Sequence, residues 1–456
     1  MKKNRALFLT AVASGTMLNP LNSSMIALAL HSIQKDFQLS FSTVSWLISS
    51  FYLASAVAQP VTGKIGDIFG RKKTFLAGLI LVALSALGAP LASTFLMLLV
   101  MRLFQSVGSS AIYPSGMALI RDHIKDRQAS ALAVLSIFAS AMVALGPTIG
   151  GFLIVLGNWP AIFWVNFPFI ILSFLLGWYM FPKDKKQDKA HIKELISHLD
   201  FLGIGYFAAG MVLFLWFLLS FEGKIHYLAG LVGIIFFCLF AWRELRVKEP
   251  FIDIRIFRIH PKLSMVYIQF IFLNIFFYCL FFGLPSYFQE GMGLSVELSG
   301  LLMLFMSVIS IIISSVTGKW IDRTGVNQPL MIGSFISIIG ALAFIIFFVK
   351  ASYLGIGMIL SIMGLSYGIG NVVLQVAMVR ESPKEILGTT SGLFQTCRYL
   401  GSIFASIILG LIFGTEISAE NMKIIGEVLL VTGIISFLMS LWFSRETLNF
   451  SKIRHV

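Results

Sequence analysis

The sequence GKIGDIFG at residues 63–70 and the sequence GKWIDRTG at residues 318–325 share the pattern G-K-x-x-D-x-x-G. Each copy joins two long apolar stretches, so the chain is interpreted as internally duplicated. Transporters are commonly built from repeated helix bundles that move against each other around a site near the middle of the bilayer. The duplication therefore favours a membrane transporter.

Composition excludes a soluble protein. Apolar residues make up 57% of the 456 positions and charged residues only 12%, which is too few to cover a globule with polar surface. We expect an all-α polytopic membrane protein. The cysteines fall within apolar stretches without a C-x-x-C pair, so the sequence indicates neither a metal site nor a disulfide framework; they are Cys238, Cys279 and Cys397.

Fourteen apolar segments are each close to the roughly 20 residues that a helix needs to span a bilayer. The segment at 226–242 is barely long enough, and the first segment is too long for a signal peptide and lacks an A-x-A site, so we expect it to be retained. The segments lie at residues 7–30, 44–63, 74–93, 96–119, 130–156, 161–181, 201–221, 226–242, 263–288, 298–317, 329–349, 353–378, 389–413 and 424–443.

The basic residues predict the orientation. An even number of spans places both termini on one side, and by the positive-inside rule that side is the cytoplasm. The net charge of +13 is spread over short loops, whereas nucleic-acid binding requires one basic surface, so no nucleic-acid partner is expected. The opposite side carries only Lys35, Lys224, Lys350 and Lys423.

The two motif copies define the predicted domains. They follow the second and the tenth span, so equivalent six-helix bundles occupy residues 1–182 and 263–456, the latter with a cytoplasmic tail. Residues 183–262 form cytoplasmic linkers around two extra spans. The predicted architecture is therefore two six-helix bundles plus two central helices, in which the bundles rock against each other.

The motif supplies candidate gating residues. Gly63 and Gly70 allow a tight turn and close helix approach, and Asp67 is placed to meet the positive end of the third helix or a nearby base. We expect Arg71 to meet lipid phosphates or acids of the opposite bundle, and Asp322 is the equivalent of Asp67 in the second copy. The alternative is an ordinary basic turn with a helix-capping Asp.

Polar residues at membrane depth mark a candidate cavity. A guanidinium in lipid is costly, so Arg102 in the fourth span should face the protein interior, with Gln105 on the same helix face. The alternative is a structural Arg satisfied by carbonyl groups of neighbouring helices. Pro20 should break the first helix near its centre. The other candidates are Asn19, Asn22, Asn274, Asn371, Gln375, Gln395 and Arg398, some of which are expected to join helices.

Several segments resemble one family. Residues 63–73, GKIGDIFGRKK, resemble the signature loop of the major facilitator superfamily. Residues 102–108, RLFQSVG, resemble the R-x-x-Q-G-x-G pattern of its drug:proton antiporters, and residues 146–151, GPTIGG, resemble their G-P-x-x-G-G element. Residues 250–257, PFIDIRIF, resemble a stretch of the fourteen-helix branch. The resemblance implies that Arg102 assists proton transfer.

The same resemblance implies that the G-P-x-x-G-G element is a packing hinge, formed by Gly146, Pro147, Gly150 and Gly151.

The chain departs from the branch in its first span. Residues 21–30 resemble the L-D-x-T-x-V-N-V-A-L pattern, but Asn22 replaces the membrane-embedded Asp. Because an amide carries no proton, the proton carrier is unassigned. His31 is conceivable because its reference pKa is about 6.5, and the nearest span-end carboxylates are Glu222, Glu290 and Glu427.

These features predict a secondary transporter and no enzyme, with no cofactor or metal, since no nucleotide-binding motif is present. The leading hypothesis is export of amphiphilic drugs in exchange for protons, from a monomer in a bacterial plasma membrane. An exporter or exchanger of one metabolite, lipid or peptide is the alternative, and a non-transporting sensor is the third. Two arginines at membrane depth favour a neutral, zwitterionic or anionic substrate.

Overall fold

The structure is a computed structural model that describes residues 2–39, 41–44, 46–184, 200–220, 225–247, 250–413 and 417–453. The regular structure of these residues is helical. Glu222 lies outside the described residues, as do the side chains of His31 and Pro147.

The α-helices are numbered in chain order. They are α1 (Lys2–Thr16), α2 (Leu18–Asp36), α3 (Phe41–Val44), α4 (Trp46–Phe69), α5 (Arg71–Gly88), α6 (Phe95–His123), α7 (Gln128–Gly157), α8 (Ala161–Trp164), α9 (Asn166–Met180), α10 (Phe201–Leu219), α11 (Tyr227–Glu244), α12 (Arg255–Ile259), α13 (Pro261–Ser286), α14 (Val296–Thr324), α15 (Asn327–Phe347), α16 (Tyr353–Glu381), α17 (Leu387–Phe413) and α18 (Ala419–Ile453). Short 3-10 turns follow α5 and α15, and a π-turn follows α13.

Eleven helical segments of the described chain are long and apolar enough to cross a membrane, which confirms the polytopic membrane protein. The count of fourteen spans stays a prediction. The first predicted span is divided into α1 and α2 at Met17, three residues before Pro20. The Met17 backbone stays helical, and its N–H bonds to the Ala13 carbonyl at 3.0 Å, so a break at Pro20 stays a prediction.

Both copies of the sequence motif end in the same backbone conformation. Gly70 follows α4 with φ at 113°, and Gly325 follows α14 with φ at 83°. In each case the glycine N–H returns to the helix, at 3.1 Å to the carbonyl of Gly66 and at 2.9 Å to that of Ile321. A side chain would strain this conformation, so the last glycine of the pattern is explained by the helix end that it forms.

The chain divides into two compact units. The first contains Met1–Leu213, Leu231–Ile254 and Ser382–Thr396. Its apolar core joins α2, α4, α6 and α8 through side chains such as Leu21, Leu98 and Phe163. The beginning of α17 therefore belongs to this unit.

The second unit contains Phe214–Gly230, Arg255–Glu381 and Cys397–Val456. Its core joins α13 to α16 with α18 and the later part of α17, and it is rich in aromatic rings. Phe344 and Phe348 stack with ring centres 4.1 Å apart, an arrangement that adds to the stabilisation from burial alone.

The G-P-x-x-G-G element lies in α7, which packs against α2 in the first unit. A Cβ atom at Gly146 would lie 2.7 Å from the Cβ of Ser24, and one at Gly150 would lie 3.2 Å from Met25. At Gly151 the nearest atom would be 4.0 Å away. The first two glycines therefore permit helix contact and the third does not serve that purpose. A bend at Pro147 stays a prediction.

We expect Gly146→Ala to destabilise the protein by about 1–3 kcal/mol, the usual range for overpacking, because the new methyl group overlaps Ser24. Gly151→Ala is the matched control on the same helix and should leave stability unchanged. Thermal unfolding of the detergent-solubilised variants checks this. Equal melting temperatures would contradict the helix contact described here.

Candidate functional site

Asp67, in the last turn of α4, binds the beginning of α17. Its side chain is only 4% exposed. One carboxylate oxygen accepts the Gly388 N–H at 2.9 Å, and the other accepts the Thr389 N–H at 2.9 Å and the Thr389 hydroxyl at 3.2 Å. The first N–H groups of a helix have no acceptor within it, so the carboxylate satisfies them and is favoured by the positive helix end.

We expected Asp67 to meet the beginning of the third helix, which is α5, or a nearby base. Arg71 is such a base, at 3.2 Å, but the helix was wrong, because the N–H groups of Lys72 and Lys73 at the beginning of α5 bond to Asp184 at 3.1 and 2.9 Å. Asp67 instead reaches a helix end more than 300 residues away in the chain. Sequence proximity to α5 suggested the nearer helix.

Glycines bring α4 and α17 into backbone contact within the first unit. A Cβ atom at Gly63 would lie 2.2 Å from the Gly388 carbonyl oxygen, and one at Gly388 would lie 2.4 Å from that of Gly63. One turn further on, a Cβ atom at Gly392 would meet the Gln59 carbonyl oxygen at 2.3 Å. The helices touch through small residues, as membrane helices often do, and this contact explains Gly63.

Arg71 joins three groups at this end of the unit. It forms an ion pair with Asp67 at 3.2 Å and another with Asp122, and it donates to the Lys384 carbonyl at 2.8 Å. We expected lipid phosphates or acids of the opposite bundle. Both acids that Arg71 meets belong to the first unit, so the prediction of acids of the opposite bundle was wrong, and the contact with lipid phosphates stays a prediction. Asp122 was missed, although the charged sequence at the end of α6 could have indicated it.

A polar pocket of about 560 Å³ surrounds these groups. Asp67 lies beyond the predicted span at residues 44–63. Burial raises the pKa of its carboxyl, while Arg71 and the N–H groups of Thr389 and Gly388 lower it. Burial thus disfavours the ionised form of this carboxyl group, and its hydrogen-bond partners favour that form. Loss of these partners would therefore favour protonation.

Arg102 is completely enclosed in the first unit, with 1% of its surface exposed. It donates to the carbonyls of Leu47 at 3.4 Å and Asn22 at 3.5 Å and to the side-chain oxygen of Gln105. Its guanidinium lies 4.3 Å from the ring centre of Phe51. None of these acceptors is a carboxylate, so carbonyl groups of α2 and α4 hold the cation, as in the structural alternative.

Asn22 forms a reciprocal pair with Asn166 of α9. Each amide donates to the oxygen of the other, at 2.8 and 3.0 Å, and both residues are buried. Asn166 was missed by sequence reasoning, although an Asn within the apolar WVNFPF segment was an available signal. An amide pair of this kind satisfies both side chains without a proton or a charge.

Polar residues of α13, α16 and α17 lie in the second unit. Arg398 donates to Asn371 at 3.3 Å and lies 5.6 Å from the ring centre of Phe270. Tyr367 is stacked on Phe277 with ring centres 3.9 Å apart. Aromatic rings and a guanidinium thus occur in one unit, a combination that binds planar or anionic groups.

The four further cavity candidates are divided between the two units. Asn19 donates to Ser109 at 3.0 Å. Asn274 donates to the Phe270 carbonyl of its own helix at 2.7 Å. Gln375 is buried in the second unit and Gln395 in the first. The structure therefore joins Asn22, Arg102 and Gln105 in one cluster, and Asn371 and Arg398 in another.

Residues 12–406 match the profile of the Major Facilitator Superfamily. The chain belongs to the Major Facilitator Superfamily. It is thus a transporter and not an enzyme. This MFS transporter is 65% identical to the "Uncharacterized MFS-type transporter YwoD" of Bacillus subtilis (strain 168), over 97% of this chain and 98% of that protein.

Two further comparisons extend the relationship. The transporter is 28% identical to the "Tetracenomycin C resistance and export protein" of Streptomyces glaucescens, over 90% of this chain and 76% of that one. Its fold resembles that of the proton:xylose symporter XylE, bound to 6-bromo-6-deoxy-D-glucose, with a TM-score of 0.66 at 13% identity over 97% of this chain and 96% of that one. At that identity the likeness shows the fold alone.

We expect Asp67→Asn to weaken the contact of α4 with α17 by about 1.5–3 kcal/mol, the usual contribution of hydrogen bonds to a charged group. The amide loses the charge and one acceptor oxygen. Faster hydrogen exchange of the Gly388 and Thr389 amides in the purified MFS transporter would show this. The exposed acid Asp126 provides a control, Asp126→Asn, and unchanged exchange in Asp67→Asn would contradict the described contact.

Proposed function

We propose that this transporter exports amphiphilic drugs or other toxic compounds across a bacterial plasma membrane, in exchange for protons and by alternating access. Both termini lie in the cytoplasm, and the protein belongs to the fourteen-helix drug:proton antiporter branch. The observation that carries the proposal is the capping of α17 by Asp67. The relative that confers tetracenomycin C resistance by export supports the direction of transport and the substrate class.

The contact between α4 and α17 has the properties of a gate. It consists of hydrogen bonds from helix-end N–H groups and of glycine backbone contacts, rather than interlocked apolar side chains. Water can replace such hydrogen bonds when the helices separate, so the two states differ by a moderate free energy. Contacts of Asp67 with Arg71 and of Arg71 with Asp122 would stabilise one state. When these contacts break, the predicted bundles at residues 1–182 and 263–456 would rock against each other.

The charge of two arginines at membrane depth supports a substrate preference. Arg102 is held by neutral acceptors, and Arg398 bonds to the neutral oxygen of Asn371. A positive potential at membrane depth repels cations and attracts anions. We therefore propose neutral, zwitterionic or anionic amphiphiles as substrates, with the rings of Phe277 and Tyr367 as apolar contacts.

One observation favours a second candidate. The branch carries an acid where this chain has Asn22. The side-chain amide and oxygen of Asn22 both form hydrogen bonds with Asn166. A transporter without that titrating group could export or exchange one endogenous metabolite, lipid or peptide. Coupling to the proton gradient therefore discriminates between the candidates.

Accumulation of amphiphiles of different charge in a pump-deficient bacterial host tests the proposal. We expect expression of the transporter to lower the accumulation of several unrelated neutral and anionic compounds and to have a smaller effect on a quaternary ammonium dye. A protonophore should abolish the difference. Equal or better export of the cationic dye would contradict the charge preference, and a single exported compound would favour the metabolite candidate.

We expect Arg102→Ala to abolish export while the protein still inserts in the membrane. The substitution leaves the carbonyls of Leu47 and Asn22 and the oxygen of Gln105 without their shared donor, at a cost of about 1–3 kcal/mol for each buried group that stays unsatisfied. The exposed Arg258 provides the control Arg258→Ala. Full export by a well-expressed Arg102→Ala variant would remove this residue from the mechanism.

A further inference from the structure

The ends of α10 and α11 hold a second buried ionisable cluster, separate from the motif. Asp200 immediately precedes α10, and Arg243 and Glu244 are the last residues of α11. Glu244 lies just beyond the predicted span at 226–242, so sequence reasoning did not include it among the membrane carboxylates. All three residues belong to the first unit.

Glu244 is fully buried, with no exposed surface. Its oxygen Oε2 accepts the Ile252 N–H at 2.9 Å. Its oxygen Oε1 is also buried and has no hydrogen-bond partner among the residues that the structure describes. A carboxylate that is removed from water with one oxygen unsatisfied is a strongly unfavourable arrangement.

Asp200 forms an ion pair with the nearby cation Arg243. Arg243 donates from Nε to both oxygens of Asp200 at 2.7 and 2.9 Å, and its Nη2 lies 2.7 Å from Oδ1. The Gly203 N–H also bonds to Asp200, at 3.0 Å. The guanidinium therefore compensates Asp200, and among the residues that the structure describes no cation is bonded to Glu244.

Both carboxyl groups lie beside Gly203. A Cβ atom at this glycine would lie 2.5 Å from Oε1 of Glu244 and 2.6 Å from Oδ2 of Asp200, so only a glycine leaves this space empty. The negative charge of Asp200 thus lies near Glu244 and opposes its ionisation.

The remaining charged group that acts on Glu244 is Lys64 of the motif helix α4. Its Nζ donates to the Pro250 carbonyl at 3.1 Å, so it contacts the segment that follows α11. The residues 250–252 therefore bind both α4, through Lys64, and Glu244, through the Ile252 N–H.

We propose that Glu244 is a proton-binding site of this transporter. The proton comes from the aqueous solution and adds to Oε1, while Oε2 keeps the Ile252 N–H. Protonation removes a charge that burial strongly disfavours. The site does not depend on which compound is transported.

Infrared difference spectroscopy of the full-length protein in lipid nanodiscs tests the site without any transport substrate. We expect a protonated-carboxyl C=O band that persists near neutral pH, where exposed carboxyl groups, with pKa values of about 4, are ionised. The band should be absent in Glu244→Gln and present in Glu420→Gln, whose side chain is exposed. Persistence of the same band in Glu244→Gln would overturn the proposal.

A second variant applies if Glu244→Gln fails to fold. Gly203→Ala places a methyl group against Oε1 of Glu244 and Oδ2 of Asp200 and keeps both acids, so the band should shift or titrate at a different pH. An unchanged band in Gly203→Ala would overturn the proposal.

Discussion

The bond of one carboxylate to one helix end is the constraint on which the first unit depends. Asp67 satisfies the free N–H groups at the beginning of α17, and Arg71 holds Asp67 in place while binding Asp122 and the Lys384 carbonyl. Because the acceptor is a short side chain, the two helices must approach until their backbones touch. Glycine at positions 63, 388 and 392 is the consequence. The polar motif and the small residues are two parts of one contact.

The two motif copies share backbone geometry but not surroundings. Gly70 and Gly325 end their helices with positive φ, which is consistent with the final glycine that both copies of the pattern share. A Cβ atom at Gly70 would strike Asp184 at 2.4 Å, whereas nothing lies within 4 Å of one at Gly325. The two copies thus share the local turn, while the long-range partners of the first copy, which make it a candidate gate, come from segments distant in the sequence.

Buried polar groups in this transporter are satisfied mainly by neutral partners. Arg102 is held by carbonyl and amide oxygens, and Asn22 is paired with Asn166. These contacts do not depend on a carboxyl group that gains or loses a proton. Glu244 differs, since it is an acid with an unsatisfied oxygen beside a second acid. Proton chemistry is therefore better sought at the end of α11 than at the position of Asn22.

The local properties of the chain were readable from the sequence. Apolar length and loop charge predicted a polytopic helical membrane protein, and the glycine at the end of each motif predicted a turn. These properties depend on residues within one or two helical turns, where the composition decides the outcome. The resemblance of the motif to a signature loop was sufficient for the superfamily.

Only the tertiary structure decided which groups meet. The choice of α17 over α5 as the partner of Asp67, the pairing of Asn22 with Asn166, and the burial of Glu244 against Asp200 all join residues distant in the chain. Periodicity shows that a residue faces inward but does not show what lies opposite. A hydrogen bond requires its two atoms to lie within about 3 Å, and that distance is set by the packing of whole helices.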